Sequence, residues 1–224
     1  MNAVTSDLAA ETAALDGLPA WIAPDRTAVL VIDMQVDFAS PDGVLGQAGV
    51  DMDVVKPALA AAERLVDAAR RAGAPVIFVG LMTRSDTDSR FWKERMRRRG
   101  GSPDEDSGLC RAGEVGAAFY GPTPAPGELV VPKIRYSGFF GTTLDAALKA
   151  RGVDTVIACG LTTECCVDCT VRDAFHLDYH VFVATDACAA YEVDLHEGTL
   201  KSLELNCAIL VDTDQVLAAW QGFE

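Results

Sequence analysis

Short β-branched apolar runs alternate with longer stretches that carry apolar residues at helical spacing along most of this chain. Residues 28–33 (AVLVID) are apolar at nearly every position, with no polar face left over. That is the pattern of a strand buried on both sides of a sheet. Residues 52–71 then repeat apolar positions every three or four residues, with charges at Glu63, Arg64, Asp67, Arg70 and Arg71, and Gly73 is placed to end the helix in a left-handed conformation. Further strands are predicted at 75–80 (PVIFVG), 128–131 (ELVV), 155–159 (TVIAC), 180–184 (HVFVA) and 208–211 (AILV). Helices are predicted at 143–151, 164–177, 194–205 and 214–221. Strand–helix–strand alternation implies right-handed crossovers and a mostly parallel six-stranded sheet covered on both faces, an α/β/α three-layer sandwich of Rossmann-like type.

Two segments stand outside the alternation. Residues 1–25 read as a polar, Ala-rich arm before a single domain over 26–224, and residues 82–127 form a long insertion rich in Gly, Pro, Arg and Asp. Loops of that length in a compact domain are usually functional lids or partner surfaces. Within it, residues 93–99 (KERMRRR) form a basic island, read as a solvated helix face or a subunit contact.

The chain has 224 residues, 50% of them hydrophobic and 23% charged, and a formal net charge of −14. Such a chain needs no disulfide or metal to fold, and an acidic balance argues against a nucleic-acid partner. With no signal-like N-terminus and no apolar run near the roughly 20 residues that span a bilayer, the reading is cytoplasmic, without a membrane partner. Seven cysteines are then expected as free thiols.

In an open parallel sheet, ligands bind beyond the carboxyl ends of the strands, where strand order reverses. At that edge the first strand delivers Asp33, the third Lys133, and the fourth a loop running into Cys165 and Cys166. A carboxylate, an ammonium and a thiol together suit nucleophilic catalysis. In the first turn of a helix, Cys166 meets exposed N–H groups and the positive dipole end, and Lys133 adds a full charge, so a lowered thiol pKa is expected. Asp33 is placed to take the thiol proton and return it to a leaving group, and backbone N–H groups of the turn to hold an oxyanion. Cys159, Cys188 and Cys207 read as small core hydrophobes, and Cys165 and Cys169 as packing residues.

Other constellations are weaker. Cys166 and Cys169 have the CxxC spacing of a thiol–disulfide protein, which leaves Asp33 and Lys133 unused. Paired zinc-ligand spacing is missing. The three histidines, His176, His180 and His196, lie late in the chain without a GxSxG serine. Gly43, Gly46 and Gly49 do not have dinucleotide-loop spacing. No cofactor and no metal are expected.

On these residues the chain resembles the isochorismatase-like superfamily of cysteine hydrolases. The matching pieces are 28–35 (AVLVIDMQ), 130–135 (VVPKIR) and 160–174 (GLTTECCVDCTVRDA), in the family's order, within a resemblance running from about Arg26 to the C-terminus. It implies Asp33, Lys133 and Cys166 as the catalytic triad, Cys166 being the cysteine followed by Val167 and, four residues on, Thr170. It also implies a cis peptide at Leu161–Thr162 and an oxyanion hole from the N–H groups of Thr162 and Cys166. Residues 132–140 (PKIRYSGFF) and 172–175 (RDAF) are similar to segments of the ureidoacrylate amidohydrolases. The implied activity is metal-independent hydrolysis of a C–N bond in a small amide, ureido or carbamoyl substrate through a thioester, in a homo-oligomer.

The chain departs from that pattern in several places. Glu164-Cys165 stands where Asn-Val is usual, Cys169 where Ser is common, Phe38 and Val44 where the subgroup has tyrosines, and 81–83 lacks its Asn and Trp. Phe38, Trp92 and Tyr136 are expected to wall the pocket, with Arg135 or Arg84 meeting a substrate carboxylate. Nicotinamidases of the superfamily hold a metal through an Asp and histidines in the first half of the chain, and none of the histidines here precedes His176. True isochorismatases lack the cysteine. The alternatives are a thiol–disulfide redox or redox-sensing protein using Cys166 and Cys169, a nicotinamidase-like hydrolase, and a non-catalytic metabolite binder.

Overall fold

The computed structural model describes residues 17–103 and 108–223. Six strands, β1 (Thr27–Ile32), β2 (Val76–Leu81), β3 (Leu129–Lys133), β4 (Thr155–Leu161), β5 (His180–Ala189) and β6 (Ile209–Val211), form one sheet in the order β3-β2-β1-β4-β5-β6. Every pairing is parallel. The chain builds outward from β1 to β3, returns to lay β4 beside β1, and then builds outward the other way. Strand order therefore reverses between β1 and β4, and a crevice at their carboxyl ends follows from the topology alone.

β1, β2 and β4 are buried at every position, as their unbroken apolar runs require. Four strands outrun their expected ends, β2 by one residue, β3 and β4 by two, and β5 by five. β4 continues through Gly160 to Leu161, with its register to β5 shifting between Ala158 and Gly160. β5 continues past Ala184 because Asp186, which interrupts the apolar run, is used as an acceptor by the N–H and hydroxyl of Thr213.

Helices flank the sheet. Lys56–Ala72 follows a short 3₁₀ turn and ends at Gly73, whose φ of +78° is the left-handed conformation glycine adopts without a Cβ penalty. Its buried residues Leu59, Ala62, Leu65, Val66 and Ala69 fall on one face. It packs against Thr213–Trp220, which starts in a capping box between Asp212 and Gln215. The fully buried Trp220 donates Nε1–H to the Ile22 carbonyl at 2.7 Å, and Leu18 and Ile22 are core residues. The end of the expected arm thus packs into the chain's own core, while residues 1–16 lie outside the described residues. Leu144–Lys149, Asp168–His176 and Val193–Asn206 are the helices that connect β3 to β4, β4 to β5 and β5 to β6.

The insertion, of which 104–107 lie outside the described residues, is anchored beside β1 and β2. Gln35 is fully buried; its Nε2 donates to the carbonyls of Leu81 and Ala117 at 2.9 and 2.8 Å. Asp37 accepts from the N–H groups of Val44 and Cys110 at 3.1 and 2.7 Å. Across the basic island runs a helix, Arg90–Arg98, capped by Ser89 accepting from the Trp92 N–H. Arg97, Arg98 and Arg99 are exposed as expected, whereas Trp92 and Met96 face inward and Arg95 is half-buried beside them.

Candidate active site

Three strand ends deliver the charged residues of the site. Asp33 follows β1 with a positive φ of 49°, an uncommon conformation for a residue with a Cβ. Its side chain is fully buried; Oδ1 accepts from the Leu81 N–H at 2.8 Å and Oδ2 from Lys133 Nζ at 2.6 Å. Lys133 ends β3 and is also buried. Its ammonium has three protons and three acceptors: Asp33 Oδ2, the Arg135 carbonyl at 3.0 Å, and Cys166 Sγ at 3.4 Å. One ammonium thus joins the carboxylate at the end of β1 to the thiol that follows β4.

Cys166 comes from the chain leaving β4. Gly160, opposite Ile32, has φ +142°, and a Cβ there would lie 2.1 Å from the Ile32 carbonyl oxygen. Only glycine lets β4 run this close to β1 before the turn. The Leu161–Thr162 peptide is cis. Next, Thr163–Val167 winds as a single π turn that continues into Asp168–His176. The expected helix start is therefore wider than an α turn, a form frequent at functional sites. The Cys165 and Val167 N–H groups both donate to the Thr162 carbonyl, at 3.1 and 3.2 Å. Thr170 braces the turn, its hydroxyl donating to the Cys166 carbonyl at 2.6 Å while accepting from the Gly138 N–H at 2.9 Å.

The expected direction of the Cys166 pKa is reversed. Its contact with Cys165, its burial and the Asp33 charge all push the thiol well above its ordinary range, and only Lys133 pulls it down. Lys133 itself is raised: burial alone would lower it, but the charges of Asp33 and Cys166 outweigh that. The resting site pairs the Lys133 ammonium with the Asp33 carboxylate and hydrogen-bonds it to the Cys166 sulfur.

Around this centre the expected wall residues take different stations. Phe38 is half-buried, its carbonyl accepting from Tyr191 Oη at 2.7 Å. Trp92 is buried, with its ring centroid 5.7 Å from that of Tyr136. Tyr136 is half-buried and raised in pKa, first by burial, with Arg95 opposing and the charges of Cys165 and Cys166 adding. Arg135 donates to the Ile134 carbonyl and to Ser89 Oγ, and Arg84 pairs with Asp86 at the exposed surface. Arg95, which sequence reasoning left in the basic island, stacks over Trp92 at 4.3 Å and lies 5.6 Å from the Tyr136 ring. Its Nε and the Trp92 Nε1 are both buried without a partner. The one signal for it in the chain is that it sits within the inward-facing i, i+4 pair Trp92 and Met96.

In the sequence Glu164 stands out only as a departure from the family pattern. Its Oε1 accepts from the Thr162 hydroxyl at 2.8 Å, while its Oε2 is buried with no partner. Neighbouring Thr163 shares a hydrogen bond with His196 Nδ1 at 2.8 Å. All seven cysteines are free thiols, and burial raises Cys169 to about 11. Among the described residues, no group of three or more His, Cys, Asp or Glu side chains is arranged to hold a metal ion.

Such a site can form and resolve a covalent bond to a carbonyl carbon: a thiol beside a carboxylate and an ammonium, in a turn following a cis peptide. Comparison with known proteins points the same way. The Isochorismatase domain family matches residues 27–215. Ureidoacrylate amidohydrolase RutB of Azorhizobium caulinodans is 38% identical over 181 residues, covering 75% of this chain and 78% of that protein. A cysteine hydrolase from Pseudomonas syringae pv. phaseolicola has a similar structure, with a TM-score of 0.78 at 28% identity, covering 90% of this chain and 95% of its own. N-carbamoylsarcosine amidase from Thermoplasma acidophilum superposes with a TM-score of 0.68 at 28% identity, covering 84% and 97%.

Proposed function

This chain belongs to the isochorismatase family, and on that premise we propose that it is a cysteine-dependent amidohydrolase acting on the C–N bond of a small ureido or carbamoyl compound. The observation that carries the reading is the Lys133 ammonium bonded at once to Asp33 Oδ2 and Cys166 Sγ. The names of its relatives, a ureidoacrylate amidohydrolase and an N-carbamoylsarcosine amidase, support the substrate class.

In the proposed reaction Asp33 takes the Cys166 proton as the thiolate attacks the carbonyl carbon. The N–H groups of Thr162 and Cys166 hold the oxyanion, helped by the Lys133 charge. Collapse breaks the C–N bond, with Asp33 returning the proton to the departing ammonia or amine. Water, activated by Asp33, then hydrolyses the thioester and frees Cys166. Ammonia release measured across ureidoacrylate, biuret, carbamoyl amino acids and nicotinamide tests the reading; no release from any ureido or carbamoyl compound would overturn it.

A raised thiol pKa has a kinetic signature. Alkylation of Cys166 by iodoacetamide is expected to keep accelerating past the ordinary thiol range of about 8.5, since the thiolate gains population only at higher pH. Asp33→Asn removes one cause of the raised pKa. That variant should be alkylated faster than wild type at pH 8 while losing turnover. A plateau below pH 8 in the wild type would contradict the assignment.

Phe38, Trp92 and Tyr136 are read as pocket wall. We assign the anionic end of the substrate to Arg95, whose Nε is buried without a partner beside the equally unpartnered Trp92 Nε1–H although its Nη2 contacts Met96 Sδ, in preference to Arg135 and Arg84, whose guanidinium groups bond protein oxygens. Arg95→Met is expected to raise KM for a ureido acid by about tenfold or more, the loss of a charge-assisted hydrogen bond, with kcat within about threefold. An unchanged KM would remove Arg95 from the substrate.

The remaining attributes are part of the same reading. No helix among the described residues is long and apolar enough to cross a membrane; a cytoplasmic site with no membrane or nucleic-acid partner is supported by the free thiols and the −14 charge. A homo-oligomer is supported by the helix Val193–Asn206, which buries only Leu203 and exposes Val193, Leu195 and Leu205.

A further inference from the structure

We propose that His196 is a positioning residue for the nucleophile: by accepting the Thr163 hydroxyl proton it fixes the head of the turn that carries Cys166. The inference rests on the amidohydrolase reading above and adds to it a residue that acts through Thr163.

The turn Thr163–Val167 has little local support. Helices of its width are rare and mostly limited to a single turn. Thr162, which precedes it, gives no side-chain cap, because its hydroxyl is spent on Glu164. Two threonines instead tie the turn to the rest of the fold. Thr170, one turn beyond Cys166, donates to the Cys166 carbonyl and accepts from the Gly138 N–H. Thr163, fully buried, stands at the other end with Oγ1 2.8 Å from His196 Nδ1. His196 lies in the first turn of Val193–Asn206, half-buried between the exposed Leu195 and Glu197. Its i, i+4, i+7 spacing to Leu200 and Leu203 puts it on the one stripe of that helix that packs against the core. A helix reached only after β5 thus holds the residue three positions before the nucleophile.

The direction of this bond follows from the protons available. A threonine hydroxyl carries one, and among the described residues Thr163 Oγ1 has no other partner. Its proton therefore goes to Nδ1, and the imidazole is the neutral tautomer with its own proton on Nε2. Burial favours that neutral form, against the charges of Glu197 on the same helix and Glu164 in the nucleophile turn. Of the other elements packed against Val193–Asn206, the helix Asp168–His176 has Asp168 and Arg172 paired with each other, and Ile209–Val211 has no titratable side chain. When His196 takes a second proton, Nδ1 turns from acceptor to donor, and the buried hydroxyl proton is left without an acceptor. Thr163 then loses its anchor, and the turn that aims Cys166 loses its head. A misplacement of about 1 Å can cost about a hundredfold in rate.

The test compares variants on whichever of ureidoacrylate, biuret and the carbamoyl amino acids the wild type turns over fastest. His196→Leu removes the acceptor and is expected to lower kcat by about tenfold or more, with KM within about threefold. His196→Asn places an amide oxygen where Nδ1 stood and should turn over several-fold faster than His196→Leu. Thr163→Val removes the hydroxyl and should match His196→Leu, and the double variant should be no slower than either single one. The pH profile carries a sign as well. Wild-type kcat should fall as pH drops below the ordinary histidine value of about 6.5, and that limb should weaken in His196→Asn, whose amide does not titrate. Thermal melting checks that each variant folds. An unchanged kcat in His196→Leu, equal losses in the Leu and Asn variants, or the same acid limb in wild type and His196→Asn would overturn the role of His196 while leaving the amidohydrolase reading standing. A wild-type protein that releases ammonia from no ureido or carbamoyl compound would overturn both.

Discussion

Cys166→Ala is expected to lower kcat by about 10⁴-fold or more while the fold stays intact, because it removes the thiol that the Lys133 ammonium contacts and on which the covalent intermediate forms. Cys166 makes few demands on the core: it is a small side chain whose hydrogen-bonding neighbour, Lys133, keeps two other acceptors. Stability should therefore change little, and lost activity will report chemistry rather than unfolding. Mass spectrometry after exposure to an electrophilic amide analogue should find the adduct on Cys166. Labelling confined to other cysteines would sink the assignment. Cys169→Ser separates the amidohydrolase from a dithiol protein. Cys169 is half-buried with its thiol raised to about 11, a poor partner for exchange at neutral pH. Turnover should survive the change within about twofold, as for a residue outside the reacting centre, whereas a redox function would be lost.

The parts of this site that the chain announces are those fixed by local pattern. β1, β2 and β4 are legible because strands buried on both faces must be apolar throughout, and Asp33 and Lys133 are legible because each is the polar residue at which such a run stops. What the chain does not announce depends on contacts between distant segments. The raised Cys166 thiol is one case. A cysteine at a helix start beside a lysine argues for a lowered pKa, and only the folded arrangement shows that the Cys165 contact, burial and Asp33 overcome it. Arg95 is another, since its inward position in a run of seven residues, five of them basic, is set by Tyr136, some forty residues away. Glu164 stands out in the sequence as an odd residue, but that its Oε2 lacks a donor is a property of the packed turn. Gln35 and Asp37 are the same kind of case: each reads as an ordinary polar residue after a strand, yet they pin the insertion through bonds to Leu81, Ala117 and Cys110.

Lys133→Met should produce the largest loss of stability of any single change in the site, about 3–5 kcal/mol, because it leaves Asp33 as an uncompensated charge in a dry pocket. The two side chains are 0% and 1% exposed, so water cannot replace the lost partner. The double variant Asp33→Asn, Lys133→Met should be markedly more stable than Lys133→Met alone, and that non-additivity measures the coupling of the pair. The pH dependence has a definite sign. The folded protein holds the Lys133 proton more tightly than the unfolded chain does. The pair's contribution is thus complete below the ordinary lysine value of about 10.4 and is lost as pH rises through the higher native value. Urea denaturation at pH 7 should show the full gap between wild type and Lys133→Met, and the gap should narrow only in strongly alkaline solution. Activity should fall by about 10²–10³-fold in the same variant, the scale of removing one preorganised charge from an oxyanion site. Equal stability of variant and wild type at pH 7 would show that the ammonium does not hold Asp33 in place, and the carboxylate would then need another source of orientation.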